Sequence, residues 1–168
     1  VDLNSSPVSN VIDFVVESET VSRLACHQNI IGIKDATGEM SNLESLKSLC
    51  KEQIESKNFF LYSGDDFSSL EFMSRGGNGT ISVSSNIVPS IVVEICNSVK
   101  KDMNLAKSID ESLSDLNKNL FIESNPIPVK WALFKMGMIK KGIRLPLVEL
   151  NDNLKLSLEN CLKELNLI

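Results

Sequence analysis

The segment Asn29-Ile30-Ile31-Gly32-Ile33-Lys34-Asp35-Ala36-Thr37-Gly38 carries a short apolar run into a single lysine and then into a polar, glycine-bearing turn. Such a run, closed by turn residues, reads as a buried parallel strand. Lys34 then sits at the strand's carboxyl end, where open α/β sheets and (β/α)8 barrels put their chemistry. Taken alone, this segment fits equally a lysine that closes a strand and solvates, which is the commoner outcome.

Two further runs repeat the pattern. Phe59-Phe60-Leu61-Tyr62-Ser63 is stopped by Gly64-Asp65-Asp66, and Thr80-Ile81-Ser82-Val83 is introduced by Gly76-Gly77-Asn78-Gly79. Helical periods lie between them. Ser18 is placed to cap a helix reaching Ala25, with Val21, Leu24 and Ala25 on one face. Ser41-Asn42-Leu43-Glu44 has the form of a capping box, opening a helix with Leu43, Leu46, Leu49 and Cys50 inward. Lys51 to Lys57 reads as a solvated connection. Asp66 is placed to cap a helix that turns Leu70 and Met73 to the sheet and ends at a left-handed Gly76. Strand–helix alternation at this spacing predicts parallel βαβ units with right-handed crossovers.

Pro89 suits the first turn of a helix with Ile91, Val92, Ile95, Cys96 and Val99 inside. Beyond it the period becomes purely helical. Leu105, Ile109, Leu113, Leu116 and Leu120 mark one long amphipathic helix, which Asn125-Pro126-Ile127-Pro128 breaks. A helix through Val129, Ala132, Leu133 and Met136 ends near Gly137, and Leu154, Leu158, Cys161, Leu162 and Leu165 stripe the last one. The predicted organisation is an α/β portion over 1–101 that carries Lys34, followed by a helical region over 102–168.

Composition bounds the possible partners. An apolar share of 42% supports a packed core. A net charge of −5 without a basic cluster argues against nucleic acid. The cysteines at 26, 50, 96 and 161 form no CxxC pair, and His27 is the single histidine, so neither a zinc site nor a disulfide framework is expected. The expectation is small hydrophobes in a reducing compartment. No apolar run approaches the ~20 residues of a membrane span, and no secretory leader is visible, so the expected location is cytosolic. A start at Val1 points to a fragment or a processed product.

Several residues invite a chemical reading. An amine that attacks a ketone must be neutral, and burial among Ile30, Ile31 and Ile33 would favour that form. Gly32 keeps a neighbouring position small. Gly64 fits either a close backbone approach or an ordinary turn. Asp65 and Asp66 could be paired carboxylates or a metal site, although a helix cap is the commoner use. The glycines at 76–79 lack a following Gly-Lys-Ser/Thr and precede a strand, so a tight turn outranks a phosphate cradle. Cys26-His27 is a weak nucleophile pair, and Trp131 is more often core than ligand platform.

IIGIKDATG at 30–38, YSGDD at 62–66, GGNGTISV at 76–83 and NPIPVKWAL at 125–133 together resemble the second half of the dihydrodipicolinate synthase (4-hydroxy-tetrahydrodipicolinate synthase) family. These are pyruvate-dependent class I aldolases, which also include N-acetylneuraminate lyase. The resemblance runs from about Pro7 to the C-terminus. It implies the last three to four strands of a (β/α)8 TIM barrel followed by a C-terminal helical region. It also implies that Lys34 forms the Schiff base with pyruvate, that the backbone carbonyl of Ile81 faces the adduct, and that no metal or cofactor takes part. In the family's Tyr-Asn-Val-Pro-(Ser/Gly)-Arg-Thr pattern, anchoring on Pro7 puts Asn4 at the relay tyrosine and Ser9 at the carboxylate-binding arginine. The family's Gly-Thr-Thr-Gly-Glu loop, second relay tyrosine and lysine-inhibitor site have no matching stretch.

The implied reaction condenses pyruvate with aspartate semialdehyde in lysine biosynthesis. A full barrel usually takes about 250 residues, so a lone chain of 168 residues is expected to need a second copy or a complementing N-terminal half. Two alternatives accompany this reading. One is a non-catalytic remnant that uses the fold for interaction, and the other is a different pyruvate aldolase such as N-acetylneuraminate lyase.

Overall fold

The computed structural model describes residues 16–168. Asn4, Pro7 and Ser9, with the readings attached to them, lie outside these. The described elements run α1 (Ser18–Leu24), β1 (Gly32–Asp35), α2 (Met40–Leu49), α3 (Lys51–Glu55), β2 (Phe60–Ser63), α4 (Ser69–Ser74), β3 (Gly79–Thr80), a 3-10 turn (Ser84–Asn86), α5 (Pro89–Ser98), α6 (Met103–Ser112), α7 (Ser114–Leu120), α8 (Ile127–Lys135) and α9 (Asp152–Glu164). This is an α/β fold with a small parallel sheet. Its residues gather into two compact units, one holding 16–82 and 91–110, the other 83–90 and 111–168.

In the first unit the sheet order is β1-β2-β3, all parallel. Side chains alternate across a strand, and burial follows that alternation. Leu61 and Ser63 are each 1% exposed and Asp35 is 6% exposed, whereas Lys34 between its neighbours is exposed. The buried side meets Val21, Ala25, Leu43, Leu46, Cys50, Phe59 and Phe72 in one cluster, with Ile30 and Ile33 packed against it. The β1–β2 approach is close: a Cβ at Gly32 would stand 2.5 Å from the Phe60 carbonyl oxygen.

The glycine run at 76–79 is a turn built for packing. Gly76 adopts φ 109° behind α4, and a Cβ on Gly77 would run into the Phe72 ring. Asn78 extends the sheet by one rung. Its backbone N–H donates to the Leu61 carbonyl at 2.7 Å, and its Oδ1 accepts from the Leu61 N–H at 2.8 Å. β3 begins at the next residue.

Several boundaries depart from the sequence expectations, each for a local reason. Ser18 is the first residue of α1, behind Glu17, and its hydroxyl donates to Asn42 Oδ1 at 2.8 Å rather than capping its own helix. The capping box over 41–44 is not made: α2 starts at Met40, Asn42 turns to other partners, and Glu44 pairs with Lys47 at 3.0 Å. Leu49 is 44% exposed, although Leu43, Leu46 and Cys50 are fully buried as predicted. The 51–57 connection contains α3. Before α4, Asp65 Oδ2 accepts from the Ser68 N–H and hydroxyl. The long helix over 105–120 is interrupted at Leu113, between Ser112 and Ser114. Serine hydroxyls compete with the helical backbone, and Leu113 nonetheless keeps its buried place at 2% exposure.

In the second unit Leu116, Leu120, Ala132, Leu158 and Leu162 are almost fully buried. The NPIP segment breaks the helix as expected and launches α8, with Pro128 in its first turn. Polar links reinforce the packing. Ser157 donates to Asn119 at 2.7 Å, the Asn151 N–H donates to Glu123 at 3.2 Å, and Lys135 on α8 meets Glu159 on α9 at 2.9 Å. Hydrogen bonds from Lys135 and then Lys163 hold the Glu159 carboxyl below the usual glutamate range.

Two outcomes are expected. Leu46→Ala, by opening a hole beside Leu43, Phe59 and Leu61, should cost about 2–5 kcal/mol in urea unfolding. A carboxyl whose folded-state pKa is depressed stabilises above its unfolded value and loses that contribution as pH falls through the folded one. Lys135→Met should therefore lower the urea midpoint at neutral pH, with the gap to the parent narrowing as Glu159 is protonated.

Candidate active site

Lys34 is the third residue of β1, and its register partner is Tyr62 on β2, which pairs in turn with Gly79 on β3. Register partners in parallel strands point to the same side. Gly32, Lys34, Phe60, Tyr62 and Gly79 therefore share the face away from the helical core. Ile81 continues beyond β3 along that line. Its N–H donates to the Ser63 carbonyl at 2.8 Å, and its side chain is 50% exposed. The two residues singled out from sequence, Lys34 and Ile81, thus lie at the carboxyl ends of β1 and β3, with β2 between them.

The expected burial of Lys34 among isoleucines does not occur. Ile33 points to the opposite face by strand alternation and packs on the helical core, as Ile30 does. Ile31 is 67% exposed ahead of β1. Consecutive residues of a strand point to opposite faces and cannot desolvate each other. On its own face Lys34 lies beside Tyr62 and Gly64.

The carboxyl end of β1 is held by its next residue. Asp35 Oδ1 accepts from the Thr37 N–H at 2.9 Å, and Oδ2 accepts from Asn42 Nδ2 at 2.8 Å. Asn42 also accepts from Ser18, so a chain of side-chain hydrogen bonds runs from α1 through α2 to the strand end. A buried carboxylate is tolerated only when its oxygens are satisfied, and here both are. The Asp35 carbonyl takes the Gly64 N–H at 2.6 Å, which joins the two strand ends. At β2, Ser63 Oγ donates to the Asp65 carbonyl at 3.0 Å and accepts from its N–H at 3.2 Å.

Sequence reading did not foresee the Ser18–Asn42–Asp35 chain. Its signal was present, since a carboxylate following an apolar strand needs donors and Asn42 lies on the next helix. The same segment also fits a capping box, and nothing local decides between them. Asp65 and Asp66 behave as turn residues, and among the described residues no group of three or more His, Cys, Asp or Glu side chains is arranged to hold a metal. His27 Nδ1 accepts from the Asn29 N–H at 3.2 Å, while Cys26 is exposed and accepts from Gln53 at 3.5 Å, so the pair serves separate turns. Burial pushes the Cys50, Cys96 and Cys161 thiols up, away from thiolate chemistry. A surface concavity involving His27, Ile31, Asn58 and Phe60 lies at the amino ends of the strands, opposite Lys34.

Trp131 sits beside Lys135, whose Nζ is 5.6 Å from the ring centroid. Around it Ile127, Pro128, Val129 and Ala132 are buried, and the segment works as packing in its own unit. No helix among the described residues is long and apolar enough to cross a membrane.

Known proteins share both sequence and fold with this chain. The pattern of the Dihydrodipicolinate synthetase family matches residues 9–165. The 4-hydroxy-tetrahydrodipicolinate synthase of Ruthia magnifica subsp. Calyptogena magnifica is 44% identical over 99% of this chain and 54% of its own length. That of Shewanella frigidimarina is 48% identical over 82% of this chain and 46% of its own. The dihydrodipicolinate synthase of Acinetobacter baumannii, solved with pyruvate, superposes with a TM-score of 0.82 at 42% identity, covering 90% of this chain and 51% of that one. The chain spans about half the length of the curated relatives it matches. With 157 of its 168 residues inside the family pattern and a shared fold at that identity, this chain belongs to the dihydrodipicolinate synthetase family.

Proposed function

We propose that this chain carries the Schiff-base half of a 4-hydroxy-tetrahydrodipicolinate synthase site, with Lys34 as the amine that captures pyruvate. The observation that carries the reading is the position of Lys34. It stands at the carboxyl end of a parallel strand, on the face it shares with the start of the Ile81 segment. The neutral amine adds to the pyruvate ketone carbon, water leaves, and a proton taken up from solvent gives the protonated imine. That cation serves as an electron sink, so a C3 proton can depart and leave an enamine. The enamine carbon attacks the aldehyde of aspartate semialdehyde, and water then releases the product from the lysine. The Ile81 carbonyl contributes through backbone position. No metal or cofactor enters this scheme. The reading makes the chain a lyase of lysine and diaminopimelate biosynthesis, working in the cytoplasm.

On this reading residues 1–101 form the last three to four strands of a (β/α)8 barrel with their helices, and 102–168 the helical region behind it. Similarity to a pyruvate-bound relative with which it shares half a chain supports that assignment. The exposure of Lys34 and the half-exposed Ile81 favour a site finished by further chain, either a second copy or a complementing N-terminal half. A proton relay would also come from there, because Asn4 and Ser9 stand where the family has its tyrosine and arginine. The same exposure favours, as a second reading, a non-catalytic remnant that keeps the surface for interaction. The broader aldolase alternative has no observation of its own.

Incubation of the purified chain with pyruvate and borohydride, followed by peptide mass mapping, separates the first two readings. The expected result is one reduced adduct, on Lys34, lost in Lys34→Arg. A folded chain that yields no adduct would favour the remnant instead. Sedimentation across a concentration series should find self-association, and a cooperatively folded monomer at every concentration would reject the second copy.

A further inference from the structure

Gly64 lies beside Lys34, and its φ gives no reason for being glycine. Gly38 and Gly76 adopt φ of 73° and 109°, in the left-handed region that L side chains avoid, whereas Gly64 lies outside it. Any L residue could take its conformation. What prevents this is space. A Cβ on Gly64 would collide with Lys34 Cε and would stand 2.9 Å from both Lys34 Cγ and the Ala36 Cβ. Contact at both Cγ and Cε means that the lysine's methylenes run along the bare Cα of Gly64.

We propose that Gly64 is a positioning residue for Lys34: the side chain it lacks is the channel along which the lysine lies, so the first residue after β2 sets where the amine is delivered. This rests on the reading of Lys34 as the imine-forming amine and adds a residue that acts through the lysine's methylenes.

Neither strand end can back away to admit a methyl group. The Gly64 N–H is tied to the Asp35 carbonyl at 2.6 Å. Asp35 is fixed by Thr37 and Asn42, and the turn after Gly64 is closed by Ser63, Asp65 and Ser68. The Ala36 Cβ belongs to that same held segment. The lysine is the movable partner, and it would swing off the strand end.

The decisive experiment is a double-mutant cycle between positions 34 and 64, read by urea unfolding of the full chain. Gly64→Ala should lower the unfolding midpoint in the parent and lower it clearly less in Lys34→Ala, because truncation removes the two lysine atoms and leaves only the Ala36 Cβ at 2.9 Å. If Gly64→Ala fails to fold, the double variant should fold. Equal losses in both backgrounds, or failure of the double variant too, would place the crowding at Ala36 and overturn the proposal. Where Gly64→Ala folds, limiting acetic anhydride reads the amine directly. Labelling of Lys34 relative to Lys51 should rise, while Gly77→Ala, which crowds Phe72 instead, should leave that ratio at the parental value. An unchanged ratio in Gly64→Ala would also overturn the proposal. In the borohydride assay at saturating pyruvate, adduct formation in Gly64→Ala should fall roughly tenfold to a hundredfold, the penalty for a displaced reacting group. A parent without adduct would defeat the reading of Lys34 as an imine former, and the cycle and the labelling would still decide whether Gly64 positions it.

Discussion

The site end of this molecule depends on one buried carboxylate. Asp35 is carried into the interior by strand alternation, and an unsatisfied carboxylate there would cost several kcal/mol. Both oxygens are met, one by the backbone two residues on and one by the Asn42 amide. Meeting them fixes the turn after β1, the first turn of α2 and, through Ser18, the start of α1. The lysine one residue earlier inherits this rigidity. Its Cα belongs to a strand whose end three elements hold in place, so the uncertainty left to the amine is that of its own side chain.

The sheet divides labour between its faces. On one side Leu61, Phe59, Leu43 and Leu46 exclude water and supply the stabilisation that burial of large aliphatic and aromatic groups brings. On the other, the residues are glycine, lysine, tyrosine and phenylalanine. Cohesion comes from the first face, and the second carries Lys34. Exposure of Lys34 follows from this division, since the groups that fold the unit point away from the amine.

How much of this was legible in the sequence depended on whether the deciding interaction was local. The strands at 32–35 and 60–63 and the inward rows of α2 and α5 follow from apolar period, and burial of Leu43, Leu46, Cys50 and Ile95 matches it. The place of Lys34 at the carboxyl end of a strand was legible from the apolar run that leads into it. The cap residues were not. Ser18, Asn42 and Asp65 each have the chemistry for several hydrogen bonds within reach, and only the tertiary arrangement selects one. The break at Leu113 was hidden for the opposite reason, because the leucine period continues through it without a flaw. The purpose of Gly64 also needed coordinates, because a turn and a close approach read alike until the neighbouring atoms are known.

Asn78 has a consequence for how the third strand finds its place. A short strand of Gly79 and Thr80 offers little pairing of its own, yet the side-chain amide acts as a template for the rung before it. Alternation raises the stakes of that alignment for the whole sheet, since a slip by a single residue exchanges inward for outward everywhere along a strand. In β1 such a slip would turn the carboxylate of Asp35 out to the open face and press the ammonium of Lys34 into the aliphatic core. Folding and reactivity are written in the same reading frame of the strand, and an error in one is an error in the other.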